Sequence, residues 1–194
     1  MKKPLIFTAA AIIGLAGGLY LALGQGESPA VEGRDFSALV EMREGDMLKL
    51  QFGADRGSDV AFLSEDGEEI TLAAYEGQHV VLNFWATWCA PCIAEMPSLD
   101  RLEAQMGGDD FAVVPISLDR RASDIPAFFD RANIENLPAW HDASFGLNGQ
   151  LALPGLPTSI FYDRAGREIA RIPGEAEWDS EDALALIAHL IERP

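Results

Sequence analysis

Cys89 and Cys92 are the only cysteines among 194 residues, and three positions separate them in Phe84-Trp85-Ala86-Thr87-Trp88-Cys89-Ala90-Pro91-Cys92. At that spacing on the first turn of a helix, two sulfurs can meet and cycle between a dithiol and a disulfide. The chemistry this permits is thiol-disulfide exchange, in which a thiolate rather than a thiol attacks. A free cysteine titrates near pH 8.5, and a Cys-x-x-Cys setting lowers this to about 3.5–7.5. Cys89 is placed at the mouth of the helix that Pro91 helps to start. There, unpaired backbone N–H groups and the helix dipole favour a negative sulfur. Cys89 is therefore the expected nucleophile, and Cys92, one turn deeper and shielded, the expected resolving thiol. Ala90 and Pro91 carry no charge and no side-chain donor, so they add little to thiolate stability. A strongly oxidising pair needs an unusually stabilised reduced form, so reduction is the expected direction. A purely structural disulfide is disfavoured, because closing so small a loop removes little chain entropy.

The elements that must hold these sulfurs are visible in the apolar periodicity. Residues 79–85, His79 to Trp85, form a continuous apolar strand suited to a sheet covered on both faces. From Cys92 to about Met106, Ile93, Met96, Leu99 and Leu102 lie on one helical stripe, with Pro97 expected to bend it and Gly107-Gly108 to end it. Phe111 to Ser117 reads as a second buried strand, and Ser123–Ala132 and Ala143 to about Gln150 read as helices. Ser159–Tyr162 and Glu168–Ile172 form a hairpin around Asp163-Arg164-Ala165-Gly166. Asp179 or Ser180 caps a closing helix. A second hairpin joins Val60–Leu63 to Glu69–Leu72 through Glu65-Asp66-Gly67. Upstream, Phe36, Leu39, Val40, Met42 and Met47 approximate one amphipathic helix from Asp35 to about Lys49. This order is α/β, with parallel and antiparallel strand pairs in one sheet.

Lys2 and Lys3 precede an uncharged apolar segment over residues 4–24. About 20 apolar residues cross a bilayer as a helix, and the basic residues before them place that end in the cytoplasm. Residues 1–24 are thus expected to be a transmembrane anchor. A cleaved signal peptide, with Ala22-Leu23-Gly24 as its small-x-small site, is the alternative. Either way the remainder is exported to a compartment where thiols tend to oxidise. Residues 25–58 read as a tether and amphipathic helix, and 59–194 as the functional domain. The formal net charge of −17 opposes contact with phosphate backbones. No nucleic-acid partner is expected.

Several motifs together resemble the thioredoxin superfamily, and within it the membrane-anchored periplasmic TlpA/ResA-type thiol-disulfide reductases, TlpA above all. They are Asn-Phe-Trp-Ala-Thr-Trp-Cys-Ala-Pro-Cys at 83–92, Glu95-Met96-Pro97, Gly155-Leu156-Pro157-Thr158 and Gly174-Glu175-Ala176-Glu177-Trp178. The resemblance spans roughly Val60 to Ile191, and the helical segment before it is similar to that of TlpA proteins. It implies a thioredoxin fold: a central mixed sheet flanked by helices, with an N-terminal β-hairpin extension and a membrane anchor. It also implies that Pro157 is a cis-proline facing the sulfurs and that Leu156 offers backbone groups to an extended substrate. Asn83 departs from thioredoxin, which carries a buried aspartate there, and asparagine cannot shuttle a proton. In the TlpA/ResA pattern the acid stands on the helix at Glu95. A carboxyl partly buried near the thiols would have its pKa raised and could accept the Cys92 proton. Trp88 is expected to form an exposed apolar rim, with Ala90 and Pro91 as neighbouring substrate contacts. Trp85 is expected in the core, and Trp140 and Trp178 as packing residues.

The activity implied is that of a protein-disulfide reductase in the bacterial periplasm, held at the inner membrane through residues 4–24. It would act on protein disulfides, in cytochrome oxidase copper-site assembly or cytochrome c maturation, with electrons from a membrane thiol transporter. Its one redox group would be the Cys89–Cys92 pair, with no further cofactor and no metal. The alternatives are a copper or other metal-binding chaperone and a general disulfide oxidase. Thiolates do suit soft metals, but His79, His141 and His189 form no ligand spacing with the two cysteines.

Overall fold

The computed structural model describes residues 35–52, 60–64 and 66–192. The expected anchor over 4–24, the tether that follows it, the loop at 53–58 and Glu65 lie outside the described residues. Among the described residues no helix is long and apolar enough to cross a membrane.

Eight strands form one mixed sheet among the described residues: β1 (Gln51–Phe52), β2 (Ala61–Leu63), β3 (Glu69–Thr71), β4 (His79–Trp85), β5 (Phe111–Ser117), β6 (Trp140–His141), β7 (Thr158–Tyr162) and β8 (Glu168–Pro173). Their order is β1-β8-β7-β4-β5-β6-β2-β3. The core of the sheet is β4, parallel to β5 on one side and antiparallel to β7 on the other. Every residue of β4 is buried, as its unbroken apolar run requires. Alternation along the strand sends Val81 and Trp85 into one apolar cluster and Val80, Leu82 and Phe84 into another. By the same two-residue period, Asn83 falls on the face of Val81 and Trp85.

The α-helices among the described residues are α1 (Ser37–Glu41), α2 (Ala90–Met106), α3 (Asp124–Ala132), α4 (Gly146–Gln150) and α5 (Glu181–Ile191). Apolar residues of α2, α3 and α5 join the cluster of Val81 and Trp85, where Trp85 stacks on Phe129 and tilts against Phe128. α2 starts two residues earlier than its apolar stripe indicates and continues through Pro97.

The single helix expected over 35–49 does not form. In its place stand α1 and a separate 3₁₀ turn, Gly45–Lys49, parted where Glu44 is extended (φ −133°, ψ 167°) and Gly45 takes φ +51°. Leu39 and Met47 are nonetheless both buried in the same cluster. Two short turns reaching one core thus mimic the spacing of one helix. Directly afterwards, Gln51 and Phe52 add β1 to the sheet beside β8. β1 and β6 have two residues each, too few for alternation to show. α4 begins at Gly146 rather than Ala143, because the chain first turns through Phe145 in the left-handed region.

Candidate active site

Cys89 is the N-cap of α2, with extended backbone (φ −92°, ψ 103°), and Pro91 sits in the first turn. Its Sγ accepts a hydrogen bond from the Cys92 backbone N–H at 3.3 Å. The sulfur thereby fills the place of an oxygen at a helix cap, and one of the helix's unpaired donors already points at it. The two cysteines are joined as a disulfide. Cys89 retains 6% exposure and Cys92 none, which separates an approachable sulfur from a shielded one.

The loop leading into α2 is fixed from β5. Asp119, just past that strand, accepts from the Thr87 backbone N–H at 2.9 Å and from Thr87 Oγ1 at 2.8 Å. Ser117 Oγ donates to the same carboxylate at 2.8 Å. This holds Thr87 while the next residue, Trp88, projects into solvent at 64% exposure. Ala90 and Pro91 are exposed as well. The Leu156–Pro157 peptide is cis, Pro157 is buried, and Thr158 Oγ1 donates to the Gly155 carbonyl at 2.7 Å. Leu156 and Cys89 line one groove of about 430 Å³ together with Trp88, Pro91, Leu118 and Phe145.

Glu95, one turn past Cys92, is 3% exposed, deeper than the partial burial expected. Asn83 Nδ2 donates to its Oε1 at 2.8 Å. The Ala176 backbone N–H and Trp178 Nε1 each donate to Oε2 at 3.1 Å. Burial pushes this carboxyl up from its usual 4.5 to about 7; the three donors oppose that rise, and the nearby charge of Glu175 adds to it. The Gly174–Trp178 segment is therefore a clasp over the carboxyl. It is tied to α2 by Trp178 N–H to Ser98 Oγ at 3.1 Å, and by Arg101 to Asp179 and Glu177. The 3₁₀ turn braces it from outside: Lys49 Nζ donates to the Glu175 carbonyl at 2.7 Å, and Asp46 accepts from the Glu177 N–H at 3.0 Å. A polar hollow of about 290 Å³, lined by Asp46, Lys49, Ala94, Glu175 and Glu177, reaches Glu95 from this side.

Of the residues singled out from the sequence, Trp88, Cys89, Pro91 and Leu156 meet in the groove, whereas Cys92 and Glu95 lie buried in α2. Trp85 is core, as expected. Trp178 is more than a packing residue, since its indole N–H binds the Glu95 carboxylate. Asn83 does not merely replace an acid: it links Glu95 to Ser159 Oγ, to which its Nδ2 also donates at 2.9 Å. Asp119 and Phe145 also belong to the site, although neither is among the residues singled out from the sequence. Ser117-Leu118-Asp119 at a strand end, where short polar side chains bond locally, was the available signal for the first. Phe145 had none. Among the described residues, no three His, Cys, Asp or Glu side chains gather as metal ligands would.

A mixed sheet with a helix capped by the first sulfur of a Cys-x-x-Cys pair defines a thioredoxin-like thiol-disulfide oxidoreductase. The pattern of the AhpC/TSA family matches residues 54–171, more than half of the chain, and the chain belongs to that family. It is similar to the thiol-disulfide oxidoreductase ResA of Bacillus cereus, at 28% identity over 130 residues, 67% of this chain and 74% of that protein. Among solved structures it resembles a putative thiol:disulfide interchange protein DsbE from Chlorobium tepidum. The TM-score is 0.63 and the identity 26%, covering 73% of this chain and 98% of that one. It also resembles the exposed lipoprotein thioredoxin of Streptococcus pneumoniae strain TIGR4, with a TM-score of 0.57, 29% identity, and coverage of 70% and 99%.

Proposed function

We propose that this oxidoreductase works as a reductase of protein disulfides outside the cytoplasm. The observation that carries the reading is the unequal burial of two bonded sulfurs at a helix mouth, the outer one opening on an uncharged groove. In the reduced enzyme the Cys89 thiolate attacks one sulfur of a partner disulfide. The partner's S–S bond breaks, its second sulfur leaves as a thiolate, and a mixed disulfide forms. Cys92 then loses its proton to Glu95 and attacks Cys89 Sγ. The Cys89–Cys92 bond closes, and the partner leaves with two electrons gained and, after protonation, two thiols. The hollow beside Glu95 lets that carboxyl return its proton to water while a partner covers the groove. Trp88, Ala90, Pro91 and Leu156 contact the substrate, Leu156 through its backbone beside Pro157.

The neutral Ala90-Pro91 pair supports reduction over oxidation. The apolar segment at 4–24 and a relative named as an exposed lipoprotein support a periplasmic enzyme held at the inner membrane. The motifs shared with TlpA/ResA-type reductases support service to cytochrome oxidase copper-site assembly or cytochrome c maturation. They also support an electron supply from a membrane thiol transporter. No cofactor beyond the cysteine pair enters this cycle.

The test is a pair of single variants assayed on insulin and on the exported proteins of the source cell. Cys89→Ser is expected to abolish reduction. Cys92→Ser is expected to trap a mixed disulfide whose partner mass spectrometry names. Unaltered turnover in both variants would overturn the mechanism.

A further inference from the structure

In a chain of formal charge −17, the groove beside Cys89 is lined by no charged side chain. Two exposed aromatic rings line it instead, Trp88 at 64% and Phe145 at 39%. Trp88 belongs to the motif that carries the cysteines, but Phe145 comes from a turn after β6 that the exchange chemistry does not require. Its backbone sits in the left-handed region, φ +57° and ψ 15°. That region is unfavourable for a bulky side chain and persists only where surrounding structure imposes it.

The imposing group is Asp142, which is itself buried. Its Oδ1 accepts from the Ser144 N–H at 3.0 Å and from Ser144 Oγ at 2.5 Å, and its Oδ2 accepts from the Leu147 N–H at 3.0 Å. Ser144 Oγ in turn accepts from the Gly146 N–H at 3.0 Å. Asp142 is anchored to the sheet through its own N–H, bonded to the Ser117 carbonyl at 2.9 Å. Donors on both sides of Phe145 thus converge on one carboxylate. The residue between them is held out of the core, with its ring in the groove.

We propose that Phe145 is a specificity-determining residue, which selects partners bearing an apolar side chain next to the reacting cysteine, and that Asp142 is its positioning residue. The proposal rests on the reading that Cys89 attacks a partner disulfide in this groove. Attack brings the partner's sulfur onto Cys89, so the residues flanking that cysteine must enter the space bounded by Trp88, Leu118, Phe145 and Leu156. A charged flanking residue would lose water there without meeting an opposite charge. An apolar one would bury its own surface and that of the phenyl ring.

Two disulfide-bridged peptides, identical except for leucine or glutamate beside the target cysteine, test this with the reduced enzyme. The leucine peptide is expected to be reduced with kcat/KM about tenfold or more above the glutamate peptide, the difference lying in KM. Phe145→Ala is expected to bring the ratio towards one, and Phe145→Tyr to keep it. Asp142→Ala should lower the ratio in the parent enzyme and have no further effect on it in Phe145→Ala, because Asp142 acts through the ring. A parent ratio near one, or a ratio that survives Phe145→Ala, overturns the proposal. Asp142→Ala lowering the ratio equally in both backgrounds overturns the positioning role. Reduction of both peptides by Cys89→Ser would instead overturn the underlying reading of the nucleophile.

Discussion

Two glutamates lie equally deep in this protein and are held in opposite ways. Glu168 on β8 is 1% exposed and Glu95 on α2 is 3% exposed. Glu168 receives a two-pronged contact from Arg171, both prongs at 2.7 Å, and Arg171 also donates to the Leu151 carbonyl at 3.0 Å. Glu95 receives an amide side chain, a backbone N–H and an indole, all neutral. A guanidinium supplies a full opposite charge and two hydrogen bonds, which offset much of the cost of taking the β8 carboxylate out of water. Neutral dipoles only partly offset burial, so Glu95 is left able to hold or release a proton near neutral pH. Burial with a counter-charge makes a structural carboxylate; burial without one makes a carboxylate suited to proton transfer.

Each side of that contrast can be broken. The largest expected effect is on the paired side: Arg171→Met strands the Glu168 charge and should cost about 3–5 kcal/mol in denaturant unfolding. A loss close to zero would remove the distinction between the two carboxylates. Next is the pH dependence of stability. The Glu95 carboxyl titrates near 7 when folded and near 4.5 when free, so between those values the folded state holds more protons than the unfolded. Stability should therefore fall as pH rises through that window, by on the order of 3 kcal/mol. The difference between the wild-type and Glu95→Gln unfolding curves isolates this contribution, and a difference that does not change with pH would contradict it. In turnover, Glu95→Gln should slow the resolving step at neutral pH by roughly a hundredfold, seen as a mixed disulfide that persists in quenched reactions. The smallest effect belongs to Trp178→Phe, which removes one donor worth about 1 kcal/mol. The infrared titration of the Glu95 carboxyl should then move upward, and a downward move would show that the indole does not stabilise the charged form.

The contrast was only half legible in the sequence. Glu95 stood in a motif near the cysteines and could be picked out as a proton acceptor, while Glu168 and Arg171 read simply as part of a strand. The long apolar strands, the helix after the cysteines and the hairpin of β7 and β8 were legible because each repeats its period over several residues. β1, β6 and the two turns replacing one helix were not, since two to five residues carry no usable period. The site divides in the same way. Cys89, Cys92, Trp88 and Leu156 belong to local motifs. The bonds of Asn83 and Trp178 to Glu95 span 12 and 83 positions, distances that only the assembled fold brings together. Phe145 points into the groove because of a turn held by Asp142, and its neighbours in sequence do not announce that.

The alkylation rate of the fully reduced protein with iodoacetamide, followed across pH in wild type and in Glu95→Gln, tests the coupling of thiol and carboxyl most directly. The account predicts that Cys89 reacts as a thiolate with an apparent pKa below the free-cysteine value of about 8.5. It further predicts a second inflection near or above 7 that vanishes in Glu95→Gln. One identical ionisation in both proteins, at the free-cysteine value, would contradict it.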